Sequence, residues 1–311
     1  MATAWVTGAK GFIGARLALF LCDQGLVVCG IGHGHLPVEL WPQTGLANWL
    51  NSEINPEALD RLAIDHGVPD VVFHLAGGST VGASLRAPFE DFTRTTNTTA
   101  RLLEWLRNNA PRSKVVVASS AAIYGDTQGV LAEESNRPLP VSPYGYHKLM
   151  MEQLCQEYSQ VFGLQTVVLR LFSVYGEGLR KQLLWDCGVK LISDGDFIEL
   201  GGTGEELRDW VHVDDAVAML HRVVSLASDE CPIFNGGSGV GVRVRDIVAV
   251  LAKSLKRHKR ILFSQVSRRG DPIALVADAA RIAAIGHTCR VSLNVGVQRY
   301  ADWFSLARNE L

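Results

Sequence analysis

Hydrophobic and polar positions along the first half of the chain fall into alternating blocks. Short apolar runs occupy residues 2–7, 26–31, 68–75, 113–119 and 166–171. Between them, residues 12–24, 56–66, 97–109 and 144–162 carry apolar side chains at helical spacing. Apolar runs of strand length that alternate with amphipathic helices predict a parallel sheet wound on both faces, because each parallel strand needs a crossover before the next. Beyond residue 171 the alternation weakens. Glycine-rich turns appear at 175–178 and 201–204, and a helix near 214–224 and a strand near 233–235 look like a return to the sheet. The pattern therefore predicts an α/β chain in two parts. One is a dinucleotide-binding domain over 1–172, with a return segment at about 209–236. The other is a smaller, discontinuous C-terminal α/β lobe from 173–208 and 237–311.

Composition narrows the classes. The chain has 311 residues, 47% of them hydrophobic and 20% charged, enough apolar material for a large core. A formal net charge of −2 offers no field for nucleic acid or an anionic membrane. The six cysteines, Cys22, Cys29, Cys155, Cys187, Cys231 and Cys289, are scattered without a C-x-x-C pair, as in a reduced compartment. The first apolar run has no basic residues before it and leads straight into a glycine turn, so it reads as a buried strand rather than a leader. These features predict a soluble cytoplasmic protein.

The first strand-to-helix junction reads Thr7-Gly8-Ala9-Lys10-Gly11-Phe12-Ile13-Gly14. Glycines at 8, 11 and 14 suit a tight turn, a close approach of backbone to a pyrophosphate, and close helix–strand packing. The free N–H groups of the helix start, at Phe12 and Ile13, face the anion. The usual companion is an acid at the end of the second strand, bonding the adenosine ribose. Here that segment is Val28-Cys29-Gly30-Ile31-Gly32-His33-Gly34-His35, with Gly32 where the acid is expected. Removing the acid removes repulsion toward a 2′-phosphate, which His33 could contact, so the cofactor expectation is NAD or NADP with a lean to NADP. A zinc site built on His33 and His35 lacks further ligands in the sequence, and no metal is expected.

Tyr144 and Lys148 lie four apart at a predicted helix start and so share one face. An ammonium beside a phenol stabilises the phenolate, which predicts a Tyr144 pKa brought toward neutrality and an acid–base role at an alcohol exchanging hydride. Such a pair alone is common on surfaces. A serine pair, Ser119-Ser120, ends the apolar run at 113–119, where open parallel sheets bind ligands. Ser120 is placed to bond the oxygen that Tyr144 works on.

With these motifs in hand the chain resembles the extended short-chain dehydrogenase/reductase family, in its nucleotide-sugar epimerase/dehydratase branch, over nearly its whole length. The landmarks are Gly8/Gly11/Gly14, His74-Leu75-Ala76-Gly77, Val81-Gly82-Ala83-Ser84, Asn97, Ser119-Ser120, Tyr144/Lys148, Arg170, the segment from Arg208 to Asp215, and Arg268-Arg269-Gly270-Asp271-Pro272. The resemblance implies a Rossmann-type first domain and catalytic Ser120, Tyr144 and Lys148. It implies dinucleotide contacts from Leu75, Ala76, Gly77, Asn97 and Ser119. It also implies a nucleotide-diphosphate sugar as substrate, UDP-type by commonness, held by Ser84, Ser120, Ser173, Arg180, Arg208 and Arg268. Arginine suits diphosphate because its planar fork makes paired bonds; read bare, either Arg208 or Arg268 is equally a surface charge. A homodimer through helices 97–109 and 144–162 is implied as well, on residues such as Leu102, Leu103, Leu106, Met150, Met151 and Leu154.

Two departures sharpen the expectation. Relatives that eliminate water from the sugar carry acids after the catalytic serine; this chain has Ala121 and Ala122, which cannot move protons. A 4-epimerase is the preferred reading, with an NADPH-dependent 4-keto-sugar reductase next and a non-catalytic dinucleotide-binding regulator last. Ser173 stands where many relatives have a longer asparagine, and Trp185 is equally a base-stacking indole or a core residue.

Overall fold

The computed structural model describes residues 1–127, 131–266 and 272–308, and it divides into two compact units. The first comprises Met1–Gly125, Arg137–Leu171 and Val217–Phe234; the second comprises Asp126–Asn136, Phe172–Ala216 and Asn235–Leu311. The return to the first unit is thus shorter than 209–236, and a loop at 126–136 leaves it earlier than the apolar pattern suggested.

In the first unit the strands are β1 (Thr3–Thr7), β2 (Val27–Gly32), β3 (Asn48–Asn51), β4 (Val71–His74), β5 (Lys114–Ser120) and β6 (Gln165–Leu171). Its helices are α1 (Phe12–Asp23), α2 (Pro56–His66), α3 (Val81–Arg86), α4 (Pro88–Phe92), α5 (Thr98–Asn109) and α6 (Pro143–Phe162). The sheet order is Ile233–Gly236, β6, β5, β4, β1, β2, β3, with parallel pairing at every step from β6 to β3. The order reverses at β1, which puts a crevice beyond the carboxyl ends of β1 and β4, the usual ligand position in such sheets.

The strands are nearly continuous apolar runs because both faces are covered. β5 buries Val115, Val116 and Val117 completely, and β6 does the same with Val167, Val168 and Leu169. Against one face α5 packs Leu102, Leu103 and Leu106, with Trp105 tilted on Trp5 at 5.4 Å between ring centroids. Leu102, Leu103, Leu106 and Met151 are wholly buried inside the chain. The sequence expectation that they form an intersubunit surface is therefore wrong for these four side chains; they belong to the core. α6 starts where Pro143 presets the first turn and the Ser142 side chain accepts the Gly145 N–H, and it ends on Gly163 in the left-handed region.

In the second unit the strand Leu207–His212 is central, parallel to Ser173–Tyr175 and Ala274–Leu275 and antiparallel to Gly241–Arg243. The unit also holds a second parallel pair, Phe197–Leu200 with Arg260–Phe263, and helices Gln182–Ile192, Val244–Ser254 and Leu293–Ala307. Asp209, fully buried, accepts the N–H groups of Ser238, Gly239 and Ala277, so this acid holds the unit's loops together. No helix among the described residues is long and apolar enough to cross a membrane, and all six cysteines are free.

Candidate active site

β1 runs into Gly8, whose φ of +71° is a left-handed conformation that glycine adopts without strain. Gly8 N–H bonds the Ile31 carbonyl at 2.8 Å and its own carbonyl takes Gly11 N–H at 2.8 Å, closing the loop. A Cβ added at Gly14 would land on the Gly8 carbonyl oxygen, so only glycine lets α1 begin here. No side chain caps α1 and no acid stands in its first turn. Its positive end, with the Phe12 and Ile13 amides, is thus left for an anion, which fits the pyrophosphate of a dinucleotide.

Thr7 ties this loop to the next. Its hydroxyl oxygen accepts the N–H groups of Leu75 and Ala76, both at 3.0 Å, and meets His74 Nδ1 at 2.9 Å. His74 Nε2 lies 2.9 Å from Thr99 Oγ1, which donates to the Thr95 carbonyl at 2.6 Å. Burial, reinforced by the Lys148 charge, lowers the His74 pKa to about 3. The ring is therefore neutral, with Thr7 donating to Nδ1 and Nε2–H donating to Thr99. Sequence reasoning gave Thr7 no role; its position at the head of the glycine loop was the available signal.

Just after β2, His33 is exposed and Gly34 N–H bonds Asn51 Oδ1 at 2.9 Å. Lys10 Nζ donates to the His35 carbonyl at 2.7 Å. Asn97 ends a π-helical turn over Thr93–Asn97, a distortion found often at functional sites.

The catalytic candidates converge in the first unit. Tyr144 and Lys148 occupy the first turns of α6, with Lys148 Nζ 5.9 Å from the Tyr144 ring centroid. Ser120 ends β5; its hydroxyl oxygen accepts the Ala122 N–H at 3.2 Å, and its side chain favours the ionised form of Tyr144. Lys148 is buried and donates to the Ala118 carbonyl at 2.8 Å, and a Cβ at Gly77 would sit 3.6 Å from its Nζ. The β5 end, the Ala76–Gly77 turn and the start of α6 thus meet around one ammonium.

Electrostatics correct one expectation. Burial pushes the Tyr144 phenol up, opposed by the Ser120 hydroxyl, and Asp91 raises it further. The expected drop toward neutrality is absent from the protein alone. Lys148 is itself lowered to about 8 by burial, although Asp91, Glu152 and Cys155 favour its charge.

Ser119 and Ser84 take unexpected roles. Ser119 Oγ bonds Glu152 Oε1 at 2.5 Å, in a buried group where Glu152 also takes Arg170 Nη2 at 2.7 Å, and Arg170 Nη1 donates to the Tyr124 hydroxyl at 2.8 Å. Ser119's side chain thus faces the core instead of the crevice. Ser84 is fully buried; it accepts the Tyr144 N–H at 3.0 Å and gives its proton to the Val81 carbonyl at 2.8 Å, so it anchors the start of α6.

The remaining substrate candidates lie in the second unit. Ser173 pairs with Trp210 in the β-ladder, and Arg208 Nη1 donates to the Leu207 carbonyl. Arg180 lies over Trp185 and Trp303 at 5.9 and 5.8 Å. Trp185 is 9% exposed and packs edge-on to Phe304, so it is core. Arg268 lies outside the described residues.

The family model described as "NAD dependent epimerase/dehydratase family" matches residues 4–237. The chain is 31% identical to UDP-glucose 4-epimerase of Azospirillum brasilense, over 89% of this chain and 84% of that one. The structure of UDP-glucose 4-epimerase from Thermotoga maritima with UDP-glucose superposes with a TM-score of 0.88 at 27% identity, covering 98% of this chain and 99% of that one. UDP-glucuronic acid 4-epimerase from Bacillus cereus, solved with UDP-glucuronic acid and NAD, gives 0.86 at 26%, covering 98% and 99%. The dinucleotide in that relative is NAD, which lends no support to the lean toward NADP. With a glycine loop, a phenol–serine–ammonium cluster and these likenesses spanning it, the chain belongs to the NAD dependent epimerase/dehydratase family.

Proposed function

We propose that the protein is an NAD-dependent 4-epimerase of a UDP-hexose or UDP-hexuronate. The observation that carries this reading is buried Lys148, its Nζ 5.9 Å from the Tyr144 ring and bonded to the Ala118 carbonyl near the end of β5, where Ser120 is followed by Ala121 and Ala122 instead of acids. Gly8, Gly11, Phe12, Ile13 and Gly14 take the pyrophosphate, and Leu75, Ala76, Gly77, Asn97 and Lys148 line the nicotinamide half. When bound, the nicotinamide supplies a two-electron acceptor that is restored in each turnover. Tyr144 accepts the proton of the sugar's C4 hydroxyl as that carbon is oxidised, while Ser120 holds the same oxygen. Lys148 stabilises the negative charge on that side. The same tyrosine returns the proton when the ketone is reduced on its other face. With methyl groups at 121 and 122, no side chain there can carry a proton between ring carbons, so the ketone is reduced rather than dehydrated.

NAD is inferred from the relative solved with it; the missing acid after β2 removes one brake on NADP but does not supply a guanidinium to grip a phosphate. The substrate-side assignments of Ser173, Arg180, Arg208 and Arg268 rest on the family resemblance. A homodimer is inferred from an exposed apolar row, Leu85, Phe89 and Phe92 before α5 and Tyr146 and Met150 on α6. Sedimentation at micromolar concentration tests it, a monomer overturning it.

The deciding experiment incubates purified protein with UDP-glucose, UDP-galactose and UDP-glucuronate without added reductant. Interconversion of C4 epimers with no net cofactor reduction is expected. Turnover only with added NADPH overturns the epimerase, and tenfold tighter binding of NADP than NAD overturns the cofactor assignment.

A further inference from the structure

One buried carboxylate–imidazole pair of the first unit has no part in the chemistry above. Asp91, on the short helix α4, is 5% exposed, and its Oδ2 lies 2.6 Å from Nδ1 of His147, whose side chain is 11% exposed. His147 is the residue just before Lys148 and three after Tyr144. We propose that Asp91 and His147 are positioning residues for the reaction: they hold the Gly78 end of the dinucleotide loop to the catalytic helix and fix one negative charge beside Tyr144 and Lys148.

The geometry makes the clamp. The Asp91 carboxylate rests against Gly78, where an added Cβ would fall on Oδ1. Gly78 N–H is held from the next turn by Thr95 Oγ1 at 2.8 Å. Phe92 closes the His147 ring edge-on at 5.6 Å and 76°. A carboxylate has no proton to give, so Nδ1 carries the hydrogen, and the imidazole is oriented by the acid it faces. A buried carboxylate without such a donor would be strongly destabilising, which explains why the two occur together.

The charge reaches the catalytic groups. Asp91 favours the protonated form of both Tyr144 and Lys148. The other ionisable groups felt at Lys148 are Glu152 and Cys155 on α6, and His74 at the end of β4 feels Lys148 in turn. Glu152 is matched by Arg170, which leaves Asp91, shared with His147, as the acid set against the phenol.

The proposal rests on Tyr144 as the acid–base group but not on the sugar, so its test uses no sugar. In the NAD-loaded full chain, the tyrosinate absorbance that disappears in Tyr144→Phe reports the Tyr144 midpoint. Asp91→Asn keeps the shape and removes the charge; the midpoint is expected to fall by roughly one pH unit, with NAD affinity retained. Asp91→Ala removes clamp and charge together and is expected also to weaken NAD binding about tenfold, one decade being about 1.4 kcal/mol. If Asp91→Asn fails to fold, His147→Ala replaces it: a retained carboxylate without its donor moves the midpoint up. A folded variant whose Tyr144 midpoint equals that of the unaltered chain overturns the proposal. Loss of epimerisation with every UDP-sugar leaves this measurement intact and counts only against the substrate reading.

Discussion

Lys148 and Glu152 stand one turn apart on α6, both nearly inaccessible to water, and they carry buried charge in opposite ways. Glu152 is fully matched. The Arg170 guanidinium bonds both of its oxygens, at 3.0 and 2.7 Å, with Ser119 adding a third bond and the Tyr124 ring 4.9 Å from the guanidinium carbon. Among the described residues Lys148 has only a main-chain carbonyl as a close oxygen partner, and its pKa falls to about 8. A matched pair serves as scaffold. An under-matched ammonium is held near the edge of deprotonation and can respond to a phenol, a substrate oxygen or a cofactor hydroxyl.

Breaking the responsive side should give the largest effect. Tyr144→Phe is expected to lower kcat by about 10²–10⁴-fold with an unchanged unfolding midpoint, read by product formation from a UDP-hexose alongside calorimetry. Breaking the matched side should move stability instead. Glu152→Gln strands the Arg170 charge and is expected to cost about 3–5 kcal/mol in urea unfolding; a cost below about 1 kcal/mol would erase the distinction drawn here.

Lys148→Met sharpens the contrast through pH. The lysine is lowered in the folded chain, so between about 8 and its ordinary value of 10.5 the unfolded chain binds more protons and stability rises with pH. Below about 8 the buried ammonium is a burden of about 3 kcal/mol. The methionine variant should therefore be inactive yet more stable at pH 7, with the gain shrinking toward pH 10; denaturant melts at the two pH values check it. The smallest effect is expected from Ser84→Ala, which leaves the Tyr144 N–H without its acceptor. About 1–3 kcal/mol of stability should go, together with a kcat loss smaller than that of Tyr144→Phe.

The alternating apolar blocks were enough to read the parallel sheet, because strands covered on both faces have nowhere to hide a polar run. Gly8, Gly11 and Gly14 were legible for a similar reason, since backbone shape there tolerates little else. β3 escaped because Asn48–Asn51 is a short edge strand half made of asparagine. α3 and α4 escaped because six and five residues are too few to show a period. The Tyr144–Lys148 spacing revealed the cluster but not its electrostatics, which depend on how deeply the fold buries both groups. Asp91 and Ser84 meet α6 across more than fifty residues of sequence, a proximity that no local pattern encodes. Ser119 was misassigned because a strand's last residues alternate faces, and a single register step turns a hydroxyl from the crevice to Glu152.

The Thr7–His74–Thr99–Thr95 chain has a consequence of its own. Every proton in it points one way, and its imidazole refuses a second proton down to about pH 3. The hinge between the two dinucleotide loops is thus deaf to acidity throughout the range in which cells live. Bends in a pH–rate curve of this protein can be ascribed to the phenol, the ammonium and their neighbours, free of any contribution from this histidine.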